Sequence, residues 1–166
     1  VKPGPDERSF HIFYQLLQCN NRKLLEELSL ESDPSQYGFL KKSGCYEVDN
    51  EGGHMDDHQE WSDMKLAMSH IGMNMKEQNR VFYVLAAVLH LGNVKFKPRR
   101  VDNADGSEIR NRRALQLAAS YMEVDADHLE KALCFRHMQT RGETFEVIFF
   151  AHSLNSLRAQ ESTHSQ

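Results

Sequence analysis

Residues 74–92 constrain this chain more than any other stretch. Asn74 and Glu77 stand at the spacing of a reciprocal helix cap, and the run VFYVLAAVLHL follows before Gly92. A helix apolar on nearly every side cannot keep one face in water, so other elements must enclose it. The uncharged run, residues 81–91, is 11 residues long. That is about half of the ~20 a membrane-spanning helix requires, so no membrane span is expected and the enclosing medium is protein. With 166 residues the chain is long enough to supply it. A globule of that size buries roughly 70% of its unfolded surface.

The enclosing elements also read as helices. Phe10, Phe13, Tyr14 and Leu17 follow an amphipathic period, Asn20 and Asn21 interrupt it, and Leu24, Leu25 and Leu28 resume it. Asp33-Pro34 marks a turn, because the residue before proline avoids helical dihedrals. Residues 43–53 are polar and glycine-bearing, the signature of a surface loop. Asp56 or Asp57 caps a helix whose inner stripe is Trp61, Met64, Met68 and Ile71, closed by Gly72. Gly92 ends the long helix, and residues 94–96 alternate like a short strand. Residues 98–106 (PRRVDNADG) read as a loop. Ser107 is placed to cap a helix through Met122, and Asp125 a shorter one through Cys134. Residues 138–150 are β-prone around Gly142, which predicts a hairpin. The last fifteen residues are polar and serine-rich and are expected to fray. The predicted fold is mainly α, with a short strand and a β-hairpin-like loop.

The residue types that carry chemistry are sparse. Lys and Arg number 20 against 24 Asp and Glu, and a net charge of −4 excludes a strongly basic nucleic-acid binder. Cys19, Cys45 and Cys134 are odd in number and form no CxxC pair, the pattern of a reduced intracellular protein. Residues 1–8 are polar, with two prolines, and do not read as a secretory signal. None of the nine glycines is followed by lysine, so no phosphate loop is formed by this sequence. GxGxxG, GxSxG and HExxH are absent as well. Residues 49–60 resemble a calcium loop only in their acidity, for the position that needs glycine holds His54. His54 and His58, flanked by Asp56 and Asp57, have zinc-ligand spacing but read better as solvated side chains. Lys95, Lys97, Arg99 and Arg100 form a small basic run, again a solvated face. None of the nine histidines stands beside a nucleophile motif. From its residues alone the chain holds no self-sufficient active site.

Several segments, in order, resemble one family. Residues 7–17 (ERSFHIFYQLL) are similar to the ERNFHIFYQLL helix of myosin motor domains. Asp33-Pro34 through Tyr37, Ser43-Gly44-Cys45 and residues 57–68 continue in the family's order. Residues 86–96 (AAVLHLGNVKF) resemble its AAILHLGNIxF signature. Residues 129–133 (LEKAL), followed by 140–143 (TRGE), match the stretch that leads into an actin-facing loop.

The resemblance implies a piece of the upper 50-kDa subdomain of a myosin head, itself a P-loop NTPase. Residues 1–143 correspond to the motor fragment. Residues 144–166 diverge from the family's PLNxxQAxxxRDALAK-like continuation. The family's head is an actin-activated, magnesium-dependent ATPase of the cytoplasmic cytoskeleton. Its phosphate loop and first switch loop precede the part matched here, and its second switch loop follows it. The implied partners are actin filaments and the remainder of the head. No cofactor is expected in this chain, Mg-ATP belonging to the complete motor. The implied actin-binding residues are Arg136, Thr140, Arg141, Gly142 and Glu143, with Glu143 where many members carry an acidic or phosphorylatable residue. A fixed carboxylate there needs no kinase to supply its charge. The competing reading is a stand-alone helical interaction module without motor activity.

Tight nucleotide binding needs backbone amides around the phosphates, a lysine on them and a hydroxyl on magnesium. The isolated chain is therefore expected to give no saturable heat with Mg-ATP in titration calorimetry. A stoichiometric isotherm would overturn this reading.

Overall fold

A computed structural model describes residues 3–4, 7–42, 44–47, 49–50, 53–101, 104–140 and 143–148. The chain divides into two units, Val1–Asn93 and Val94–Gln166. As predicted, it is mainly helical, and antiparallel hairpins supply the β-structure.

In the first unit, α1 (His11–Leu17) buries five consecutive residues, Phe13 to Leu17, so it is enclosed rather than amphipathic. Phe10, predicted to belong to its inner stripe, is the N-cap instead and is 72% exposed. Asn20 adopts φ +50° and ends the period; Asn21 then caps α2 (Arg22–Glu27) by accepting the Leu24 N–H at 3.1 Å. Asp33 accepts the Ser35 N–H at 2.8 Å and starts a 3₁₀ turn, Pro34–Gln36. Just beyond, the buried Tyr37 hydroxyl accepts the Glu31 N–H at 2.8 Å and donates to the Glu31 carbonyl at 3.0 Å. Within the predicted loop 43–53 lies a two-residue ladder, β1 (Asp49–Asn50) against β2 (Gly53–His54).

α3 (Asp57–His70) begins at Asp56, whose carboxylate accepts the N–H groups of His58 and Gln59. It ends with Gly72 at φ +91°, where Gly72 N–H bonds to Ser69 O and Met73 N–H to Met68 O. That double bond is the Schellman stop, and glycine is there because the left-handed conformation costs it nothing. The predicted stripe is only partly right. Trp61 is buried against Phe82, with ring centroids 4.6 Å apart, Met64 and Met68 are half-buried, and Ile71 is 77% exposed. Ile71 is the C-cap, outside the helical period that would have turned it inward.

α4 (Met75–Gly92) carries the predicted capping box complete: Asn74 Oδ1 accepts from Lys76 and Glu77, and the Glu77 carboxylate accepts the Asn74 N–H at 2.8 Å. Gln78, Phe82, Ala86, Ala87, Leu89 and His90 are buried along it, and the His90 Nε2 stands 3.0 Å from the Leu28 carbonyl. Enclosure is not complete, since Val84 is 59% exposed. Gly92 does not end the helix through a left-handed turn; it is the last helical residue and buried, and Asn93 is the cap. A Cβ on Gly92 would collide with the Phe39 ring, and one on Gly38 with the Gly92 carbonyl. Asn93 locks this close approach, accepting the Gly38 N–H at 2.7 Å and donating to the Gln36 carbonyl at 3.0 Å.

Arg8 ties the start of the unit to α3. Its guanidinium grips the Asp57 carboxylate through two bonds of 2.7 Å, donates to the Tyr46 carbonyl and the Met55 sulfur, and lies 4.6 Å over the Tyr14 ring. The Arg8 side chain is 1% exposed and that of Asp57 12%.

In the second unit, the predicted loop 98–106 is a hairpin, β3 (Phe96–Val101) paired antiparallel with β4 (Ala104–Ile109). Pro98 lies in β3, where a two-stranded ladder leaves one edge free and a missing N–H goes unneeded. Ser107 caps nothing; it is a buried residue of β4. The helix after it, α5 (Arg112–Tyr121), starts at Asn111, whose side chain accepts the Lys95 N–H at 2.7 Å instead of capping. α5 buries Leu115, Ala118 and Ala119. Asp125 caps α6 (Ala126–Cys134) as predicted, accepting the His128 N–H at 2.9 Å. α6 leads directly into β5 (Phe135–Thr140), which pairs antiparallel with β6 (Glu143–Ile148), the predicted hairpin.

Three outcomes test this packing. Asp57→Ala leaves the Arg8 charge buried and unmatched, and should cost about 3 kcal/mol in urea unfolding. Arg22→Ala, which removes the exposed α2 pair with Glu26, should cost no more than about 0.5 kcal/mol. Equal losses would show that the Arg8 pair is an ordinary surface bridge. Gly92→Ala adds about 1 kcal/mol of helix propensity but overpacks against Phe39, at about 1–3 kcal/mol, so a net loss is expected. A raised urea midpoint would mean that the Phe39 ring yields freely. Finally, burial pushes the Tyr37 phenol up to about 12 from 10.0. A group raised in the folded state holds its stability below the unfolded value and loses it as pH climbs through the folded one. Stability should therefore decline between pH 10 and 12, and Tyr37→Phe should flatten that decline in urea titrations at several pH values.

Candidate functional site

Three of the five residues implied by resemblance lie on one short ladder. Phe135, the C-cap of α6, is also the first residue of β5, so no linker separates helix from hairpin. Arg136 stands opposite Val147, and Thr140 opposite Glu143, the last pair before the tip. Opposed residues share a face and alternate residues return to it, so positions 136, 140 and 143 fall on the same face. Arg141 and Gly142 lie outside the described residues, as does the segment from residue 149 onward.

The base of the hairpin adjoins α6, which is tied in turn to α5. Arg112 spreads its two terminal nitrogens between Asp127 at 2.7 Å and Glu130 at 2.9 Å. Its side chain is 53% exposed, so these bonds orient the helix pair more than they stabilise it. Firmer anchoring comes from Cys134, 1% exposed, immediately before the first strand residue. Burial raises the Cys134 thiol above its ordinary pKa, and that of Cys19 likewise, which disfavours the thiolate at both.

The basic run on β3 is partly neutralised from the opposite strand. Lys97 meets Glu108 at 2.6 Å, with Arg99 at 3.9 Å, and the Lys97 hydrogen bond holds the Glu108 carboxyl below its usual range. The loop-like composition of 98–106 hides the strand pairing that brings Glu108 opposite these cations.

A cavity of about 260 Å³ opens in the first unit, lined among others by Tyr14, Tyr46, Glu47, Asp56, Asp57 and His58. Its carboxylates are largely committed, Asp56 to the α3 cap and Asp57 to Arg8. This engagement argues against the zinc reading of the His54 and His58 pair. Among the described residues no three His, Cys, Asp or Glu side chains converge on a metal-sized space. Nor is any described helix long and apolar enough to cross a membrane.

Comparison with known proteins places this mainly helical chain in a family. The profile of the myosin head (motor domain) family matches residues 1–164. The myosin ID heavy chain of Dictyostelium discoideum is 42% identical over 152 residues, which cover 90% of this chain and 13% of that relative. The myosin IE heavy chain of the same organism is 36% identical over 136 residues, 81% of this chain and 13% of the relative. Myosin-14 of Arabidopsis thaliana is 36% identical over 139 residues, 83% of this chain and 9% of the relative. The chain thus spans only a small part of the curated relatives it matches, and it belongs to the myosin head (motor domain) family.

Proposed function

We propose that this chain acts as one segment of an actin-based, ATP-driven motor head, supplying upper 50-kDa core and presenting the β5–β6 hairpin to the actin filament. The observation that carries this reading is the family match over residues 1–164. The hairpin itself adds support: its ladder follows α6 without a linker. Arg136, Thr140, Arg141, Gly142 and Glu143 are its proposed contacts, in a cytoplasmic, cytoskeletal setting. Mg-ATP belongs to the complete head. With no glycine followed by lysine, this chain's residues do not fit a phosphate cradle, and nucleotide chemistry is assigned to other segments of the motor.

Glu143 is the residue through which this reading is tested. A charge on the rim of an interface acts mainly on encounter rate and salt dependence. In the full-length motor, Glu143→Ala should change actin affinity a few-fold, the worth of about 0.5–1 kcal/mol for one exposed charge, and leave basal ATPase activity unchanged. Cosedimentation with actin at low and moderate salt, alongside basal and actin-activated turnover, reads both quantities. Equal loss of both activities would point to a folding defect. No change in either would remove Glu143 from the contact.

A further inference from the structure

We draw no further inference here: the strongest candidate, the partly exposed apolar stripe of Val81, Val84, Leu85 and Val88 along α4 of the first unit, is an unpartnered helix face, and nothing in the structure shows what covers it.

Discussion

A guanidinium with 1% of its side chain in contact with solvent is tolerable only where its charge is matched and its donors are used. Arg8 meets the first condition in full and the second through both terminal nitrogens, its buried Nε being left without a hydrogen-bond partner, by drawing four things to one point: the α3 carboxylate of Asp57, the Tyr46 carbonyl, the Met55 sulfur and the Tyr14 ring. These groups come from three stretches of the first unit, since Met55 and Asp57 are two residues apart. Asp57 is tied twice over, because it opens the helix that Asp56 caps, where a negative charge also suits the helix dipole. With the start of α3 so fixed, Trp61 is one turn away and in position to stack on Phe82 of α4. A single buried cation thereby links the N-terminal segment to the longest helix.

The two ends of α4 are held by different physics. At its N-terminus the capping box satisfies backbone donors within four residues, a purely local device. At its C-terminus the constraint is tertiary: two glycines let backbone approach backbone and ring, and Asn93 clamps the approach with one acceptor and one donor. In the second unit Asn111 plays a comparable part, joining the start of α5 to the backbone before β3. Both asparagines act as short cross-links between segments distant in sequence.

For function, the consequence is a division of labour. Among the described residues, Arg8, Tyr37 and His90 are engaged in hydrogen bonds and Cys134 in packing. Burial raises the thiols of Cys19 and Cys134 above their ordinary pKa. The contact proposed for the β5–β6 hairpin would be electrostatic and positional.

Features whose physics is local are legible in the order of the residues. The caps at Asp56, Asn74 and Asp125 were readable because a side chain meets backbone N–H groups only two or three residues away. Gly72 was readable as a stop because glycine is the default in a left-handed turn. The same Schellman bonds end α2 and α5, but with Ser29 and Glu123 at φ +53° and +56°, residues that carry no such signal. The candidate hairpin was marked by β-prone residues around a glycine, whereas the roles of Arg136 and Glu143 came only through family resemblance. Tertiary structure alone decided the rest. It paired 96–101 with 104–109 despite Pro98 and the turn-like composition, because cross-strand bonding outweighs local preference. It left Phe10 and Ile71 in solvent by placing them at helix caps, outside the period that reads them as core. It also made Arg8 a core residue, since the partners that offset burying a charge lie 38 to 49 residues away, beyond the reach of any local pattern.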